Sequence, residues 1–134
     1  MILVLEDMEC RIDWLRDATK GHVVQWCKTV SALVAAQGTP SLVILDHDLG
    51  DLGTANFSVG ADGMTGLDAA DCMPAVACPV LVWSMNPTRA PQMVQALQRR
   101  GMRATWAPYG TERCAATIAL ALVAGRGIAA RGHE

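Results

Sequence analysis

The sequence predicts a three-layer α/β sandwich: a five-stranded parallel sheet in the order 2-1-3-4-5, covered by five helices. The first observation behind this is a recurrence of short apolar runs, MILVLE, VVQWC, SLVILD, PVLVWS and MRATWA, with helical periodicity between them. The runs do not strictly alternate, which suits strands buried on both faces beneath crossover helices. The second is that acids stand directly after the first and third runs. In an open sheet of this order, those two strands flank the point where crossover direction reverses and ligands bind.

The elements follow in order. Cys10 to Lys20 reads as a helix with Ile12, Trp14 and Leu15 on one flank, and Val30 to Gln37 as a shorter one stopped by Gly38-Thr39-Pro40. Gly66 to Met73 forms a third closed near Pro74, and Pro91 to Arg100 a fourth closed by Gly101. Glu112 to Ala124, mostly alanine, leucine and valine, is the fifth. Between the third run and the third helix, Gly50 to Thr65 holds Gly50, Gly53, Gly60 and Gly63 among polar residues without an apolar period. Unstructured segments of that length tend to be lids or binding loops. One domain over residues 1–124 is expected, with residues 125–134 as a frayed tail.

Composition narrows the function classes. A chain of 134 residues suffices for one core. Apolar residues make up 51%, yet no run nears the roughly 18 that a membrane span needs. The first residues lack a basic leader and run straight into acids, so a cytoplasmic protein without a signal peptide is the expectation. Five cysteines (Cys10, Cys27, Cys72, Cys78, Cys114) show neither CxxC spacing nor a histidine at zinc-finger distance, which predicts free thiols, mostly filling the core. A net charge of −2 predicts neither a membrane partner nor a large nucleic-acid surface. Residues 1–80 carry eleven acids and four bases, residues 81–134 two acids and seven bases. Carboxylates early and arginines late (Arg89, Arg99, Arg100, Arg103) would suit an anionic ligand held through a metal.

The strand ends carry the chemistry. Glu6 and Asp7 close the first strand, and Asp46, His47 and Asp48 the third. Carboxylates gathered there must share a proton or take a cation. An all-oxygen set of Glu6, Asp7, Asp46 and Asp48 suits Mg²⁺ or Mn²⁺, with Ca²⁺ a further candidate, better than zinc. Rim acids that only cap loops are the alternative. His47 alternates away from Asp46 and Asp48 unless the strand end bends, in which case it either becomes a general acid or base or simply hydrogen-bonds inside. After the fourth strand, Ser84, Asn86 and Arg89 offer a hydroxyl, a carboxamide and a guanidinium to phosphate oxygens, with helix capping by Ser84 or Asn86 the competing role.

With Glu6-Asp7, Asp46 and Ser84 at these strand ends, the chain resembles the flavodoxin-like receiver domains of two-component response regulators over about residues 1 to 124. Receivers carry a lysine before the proline that follows strand five; here Ala107 precedes Pro108. The DHDLG run (Asp46 to Gly50), the stretch Gly63 to Asp68 and the SMNP turn (Ser84 to Pro87) are more similar to a divergent branch, the cyclic-phosphate processing receiver domain. That family commonly has a histidine before the serine, where this chain has Trp83.

The resemblance implies a metal-assisted phosphoesterase acting on a phosphate-containing small molecule or an RNA end, cyclic nucleotides included. Asp46, His47, Asp48 and Ser84 would be catalytic, and Ser84, Asn86 and Arg89 would bind phosphate. Two other expectations remain open: a stand-alone receiver phosphorylated at Asp46, and a degenerate receiver-like module that binds without chemistry.

Overall fold

The computed structural model describes residues 1–50 and 59–131. Its strands are β1 (Ile2–Leu5), β2 (Val24–Cys27), β3 (Leu42–Leu45), β4 (Val80–Val82) and β5 (Ala104–Trp106). They form one parallel sheet in the order β2-β1-β3-β4-β5, as the sequence predicts. The five helices are α1 (Glu9–Ala18), α2 (Val30–Ala35), α3 (Gly66–Cys72), α4 (Arg89–Arg99) and α5 (Glu112–Arg131).

Alternation along the buried strands splits the core in two. Leu3, Leu5, Val43, Leu45, Val80 and Val82 face α2, α3 and α4, where they meet Leu33, Ala69, Met93 and Leu97. Ile2, Val4, Leu42, Ile44, Leu81 and Trp83 face α1 and α5, where they meet Leu15, Cys114 and Ile118. Each fully buried aliphatic side chain contributes about 1.5–3 kcal/mol, so both layers are held by the sheet between them.

Register places the site. Leu5 lies beside Cys27 on one side and Leu45 on the other. The ladder runs one step further, with the Glu6 N–H donating to the Cys27 carbonyl at 3.0 Å and the Asp46 N–H to the Leu5 carbonyl at 3.1 Å. Glu6 and Asp46 are therefore lateral neighbours on adjacent strands, which lie about 4.8 Å apart in a sheet.

Several boundaries differ from the sequence expectation. Helix α4 begins at Arg89 rather than Pro91, because the Asn86 Oδ1 accepts from the N–H groups of Thr88 (3.1 Å) and Arg89 (2.9 Å) and starts the helix early. Pro91 then falls in the first turn, where its missing N–H costs no intrahelical bond. Helix α5 continues past Ala124 to Arg131, through residues assigned to a frayed tail. Gly125 and Gly127 each cost about 1 kcal/mol against alanine, but the flanking alanine, isoleucine and arginine are tolerant helix formers. Of the expected loop, residues 51–58 lie outside the described residues. Its remainder is tied down at Asp62, whose Oδ2 accepts from the Ser31 N–H (2.9 Å) and Oγ–H (2.7 Å).

All five cysteines are free, but Cys10 and Cys72 are exposed rather than core residues. The late arginines also have other duties. Helix α4 runs back against the strands, so its last turn lies at the amino end of the sheet, away from the acids. There Arg100 donates to the Ala70 carbonyl at 2.7 Å and Arg103 to the Ala77 carbonyl at 2.7 Å.

Candidate functional site

The strand-end acids converge, and at their centre is a buried pair. Glu6 is 0% exposed and Asp46 2%. Burial raises both carboxyl pKa values, and for Glu6 the charge of Asp46 and a side-chain hydrogen bond to it add to the rise, taking it to about 9. The same bond acts in the opposite sense on Asp46, so Glu6 keeps the proton and donates it to the Asp46 carboxylate. Asp7, half-buried beside them, is raised by burial and then by the charge of Asp46.

The remaining contacts of Asp46 are specific. Its Oδ1 accepts from the His47 N–H at 2.8 Å, and its Oδ2 accepts from the Arg11 Nη1 at 3.2 Å. The same Arg11 nitrogen reaches the Glu6 Oε1 at 3.5 Å. Sequence reasoning did not single out Arg11. It stands in the first turn of α1, and since α1 leaves from the end of β1, that turn lies over the carboxyl rim of the sheet. Its Cζ sits 5.0 Å from the Tyr109 ring, which packs edge-on against Trp14 and Trp83.

His47 and Asp48 form a second unit. His47 is buried, and its Nδ1 lies 2.8 Å from the Asp48 Oδ1, while the Asp48 side chain remains 30% exposed. The strand ends at Leu45, so simple alternation does not govern the two residues. A carboxylate on one ring nitrogen fixes the orientation of the imidazole.

The stretch Thr65 to Asp68 explains itself by packing. The Gly66 N–H donates to the His47 carbonyl at 2.9 Å, and a Cβ on Gly66 would lie 2.0 Å from the Asp46 carbonyl oxygen and 2.5 Å from the His47 Cα. Only glycine lets α3 come this close to the strand end. The Asp68 Oδ2 accepts from the Thr65 N–H at 2.9 Å and from its Oγ–H at 3.3 Å, which sets where the helix begins.

Ser84, Asn86 and Arg89 are not gathered into one grip. Ser84 is fully buried, and its Oγ accepts from the Asn86 N–H at 3.0 Å. The Asn86 carbonyl oxygen caps α4, the competing role the sequence left open. The Arg89 side chain is exposed and donates to Gln92 at 2.9 Å. Trp83 is fully buried, and its Nε1 has no hydrogen-bond partner among the described residues.

Among the described residues, no three His, Cys, Asp or Glu side chains stand ready as a metal-ligand set. The donor chemistry nevertheless fits a hard divalent ion. Glu6, Asp7, Asp46 and Asp48 supply only oxygens, and Arg11 is the one cation, among the described residues, in ion-pair distance of Glu6 or Asp46. Burial is the main cause of the raised Asp7 and Asp46 carboxyl pKa values, and for Asp7 the charge of Asp46 adds to it.

No curated protein matches the sequence. Among solved structures, a fusion carrying the yeast Spc42 trimeric coiled coil, amino acids 181–211, has a similar fold: TM-score 0.54 at 21% identity, over 98% of this chain and 80% of that one. The sequence of residues 1–99 matches the family described as the cyclic-phosphate processing receiver domain. With its parallel sheet in the order 2-1-3-4-5, its strand-end acids and this match over most of its length, the chain belongs to the cyclic-phosphate processing receiver domain family.

Proposed function

We propose that the carboxyl end of β1 and β3 hydrolyses cyclic phosphates or phosphodiesters of nucleotides or RNA ends with the help of Mg²⁺ or Mn²⁺. The observation that carries this reading is the buried Glu6 and Asp46 pair with Asp7 beside it, an excess of negative charge at the ligand-binding edge of the sheet. Asp7 and Asp46 are the ligands, with Asp48 at the open side. When bound, the ion supplies Lewis-acid polarisation of a phosphoryl oxygen and a lowered pKa for its water.

The chain's own groups do the rest. Glu6, protonated beneath the site, donates to Asp46 and orients it. The His47 N–H fixes the other Asp46 oxygen at 2.8 Å. His47, steadied by Asp48, moves the proton at Nε2 between attacking water and leaving oxygen. Ser84, fully buried, holds the turn before α4 through the Asn86 N–H.

The test is turnover of 2′,3′-cyclic nucleotides, 3′,5′-cyclic nucleotides and cyclic-phosphate-ended RNA in Mg²⁺ and in Mn²⁺. Release of a phosphomonoester that Asp46→Asn abolishes supports the reading, and a folded, metal-bound protein that turns over none of them rejects it.

A second reading, a receiver-like module that binds without chemistry, is favoured by Arg11 on Asp46 and by the exposed Arg89 turned toward Gln92. It predicts ligand binding by calorimetry without turnover. For phosphorylation at Asp46, the loop after β5 offers no cation before Pro108, since Ala107 stands there, buried in the apolar layer.

A further inference from the structure

Arg11 carries an inference that rests on the metal-assisted reading and deepens it. Three contacts hold its guanidinium: Asp46 at 3.2 Å, Glu6 at 3.5 Å and the Tyr109 ring at 5.0 Å. The side chain is 14% exposed, so it is largely desolvated and its charge is felt strongly by the two carboxyl groups. The loop after β5 brings no cation to this point; it delivers buried Ala107 and the ring of Tyr109. Helix α1 therefore supplies the positive charge.

We propose that Arg11 is a built-in counter-ion that competes with a divalent cation for Asp46 and so sets how tightly the domain holds its metal. A guanidinium and a divalent ion on the same Asp46 Oδ2 repel each other at short range. Metal entry moves the guanidinium off Asp46, and the movement is felt by Tyr109 and by the Trp14 and Trp83 rings, whose centroids lie 5.5 and 5.4 Å from it. Arg11 is thus a positioning residue: it keeps Asp46 aligned while the metal is absent and yields when it arrives.

Mg²⁺ alone is the probe, titrated into the full chain by calorimetry and by tryptophan fluorescence. Arg11→Gln removes the charge, and its Mg²⁺ affinity is expected to rise by about 10-fold, the scale of one charge-assisted hydrogen bond. Arg11→Lys restores a cation and returns the affinity toward the wild-type value, and Asp46→Asn abolishes binding. Wild-type fluorescence changes on saturation, whereas the Arg11→Gln change is smaller because no guanidinium leaves the ring.

Equal or weaker Mg²⁺ binding by Arg11→Gln, with Asp46→Asn still abolishing it, overturns the counter-ion role and leaves the metal reading standing. No Mg²⁺ binding by either protein overturns both. Should Arg11→Gln fail to fold, the Arg11 Nε–H resonance of the wild type decides. A shift on Mg²⁺ saturation is expected, and an unmoved resonance in a metal-bound protein overturns the proposal.

Discussion

Replacing Glu6 by glutamine is expected to flatten the pH dependence of stability. Burial and the neighbouring Asp46 raise the Glu6 carboxyl from 4.5 to about 9 in the folded chain. The native state therefore holds a proton that the unfolded chain releases above pH 4.5. The sign follows from linkage: where the native state binds more protons, stability falls as pH rises. Its favourable share is fully present below about pH 4.5 and is lost progressively toward pH 9.

One proton corresponds to about 1.4 kcal/mol per pH unit, so the loss between pH 5 and 8 is on the order of 3–4 kcal/mol for an isolated group. Glutamine mimics the protonated acid, since its carbonyl can accept the Asp7 N–H that now bonds the Glu6 Oε2 at 3.1 Å and its amide can donate to Asp46. Urea unfolding from pH 5 to 9, with EDTA present, measures the slope. The wild type should lose stability across this range, and Glu6→Gln should lose much less and be the more stable protein at pH 8.5. A flat or rising wild-type curve, or an unchanged slope in the variant, would refute the shared-proton account.

Other substitutions test other joints. Gly66→Ala drives a methyl into the Asp46 carbonyl and should cost about 2–4 kcal/mol in chemical denaturation, with the site disturbed as well. Trp83→Phe deletes a buried N–H that has no partner among the described residues, so the loss should stay within about 1 kcal/mol despite complete burial. A loss beyond about 3 kcal/mol would show that the cavity left by the smaller ring outweighs the relief of the unpaired N–H. Asp48→Asn keeps the shape but withdraws the charge that steadies His47 at 2.8 Å; kcat for cyclic-phosphate hydrolysis should fall about 100-fold with little change in KM.

Much of this was legible beforehand for identifiable reasons. Strands buried on both faces are written as compact apolar runs, so LVIL and VLV disclosed a parallel sheet, and strand order fixed which ends would meet. Glu6 and Asp46 followed, because register at Leu5 and Leu45 makes them neighbours. The reading stopped at side chains whose role depends on tertiary reach. Arg11 looked like an ordinary helix residue, yet the first turn of a helix leaving β1 lies over the carboxyl edge, and a long guanidinium spans the gap. A base in that turn, five positions after Glu6, was the available signal. Asn86 had two plausible uses, and the local one won because unpaired N–H groups at a helix start attract the nearest carbonyl. Helix α5 runs on to Arg131, past the Ala124 boundary that the expectation of a fraying end had set.

The measurement that bears most directly on the central claim is a crystal structure of the chain with Mn²⁺ and a non-hydrolysable cyclic phosphate, read by anomalous scattering. The account predicts an anomalous peak bonded to Asp7 and Asp46 oxygens, phosphate against it, and Arg11 withdrawn from Asp46. A fully liganded crystal with Arg11 still bridging Glu6 and Asp46, and manganese elsewhere or nowhere, would contradict it.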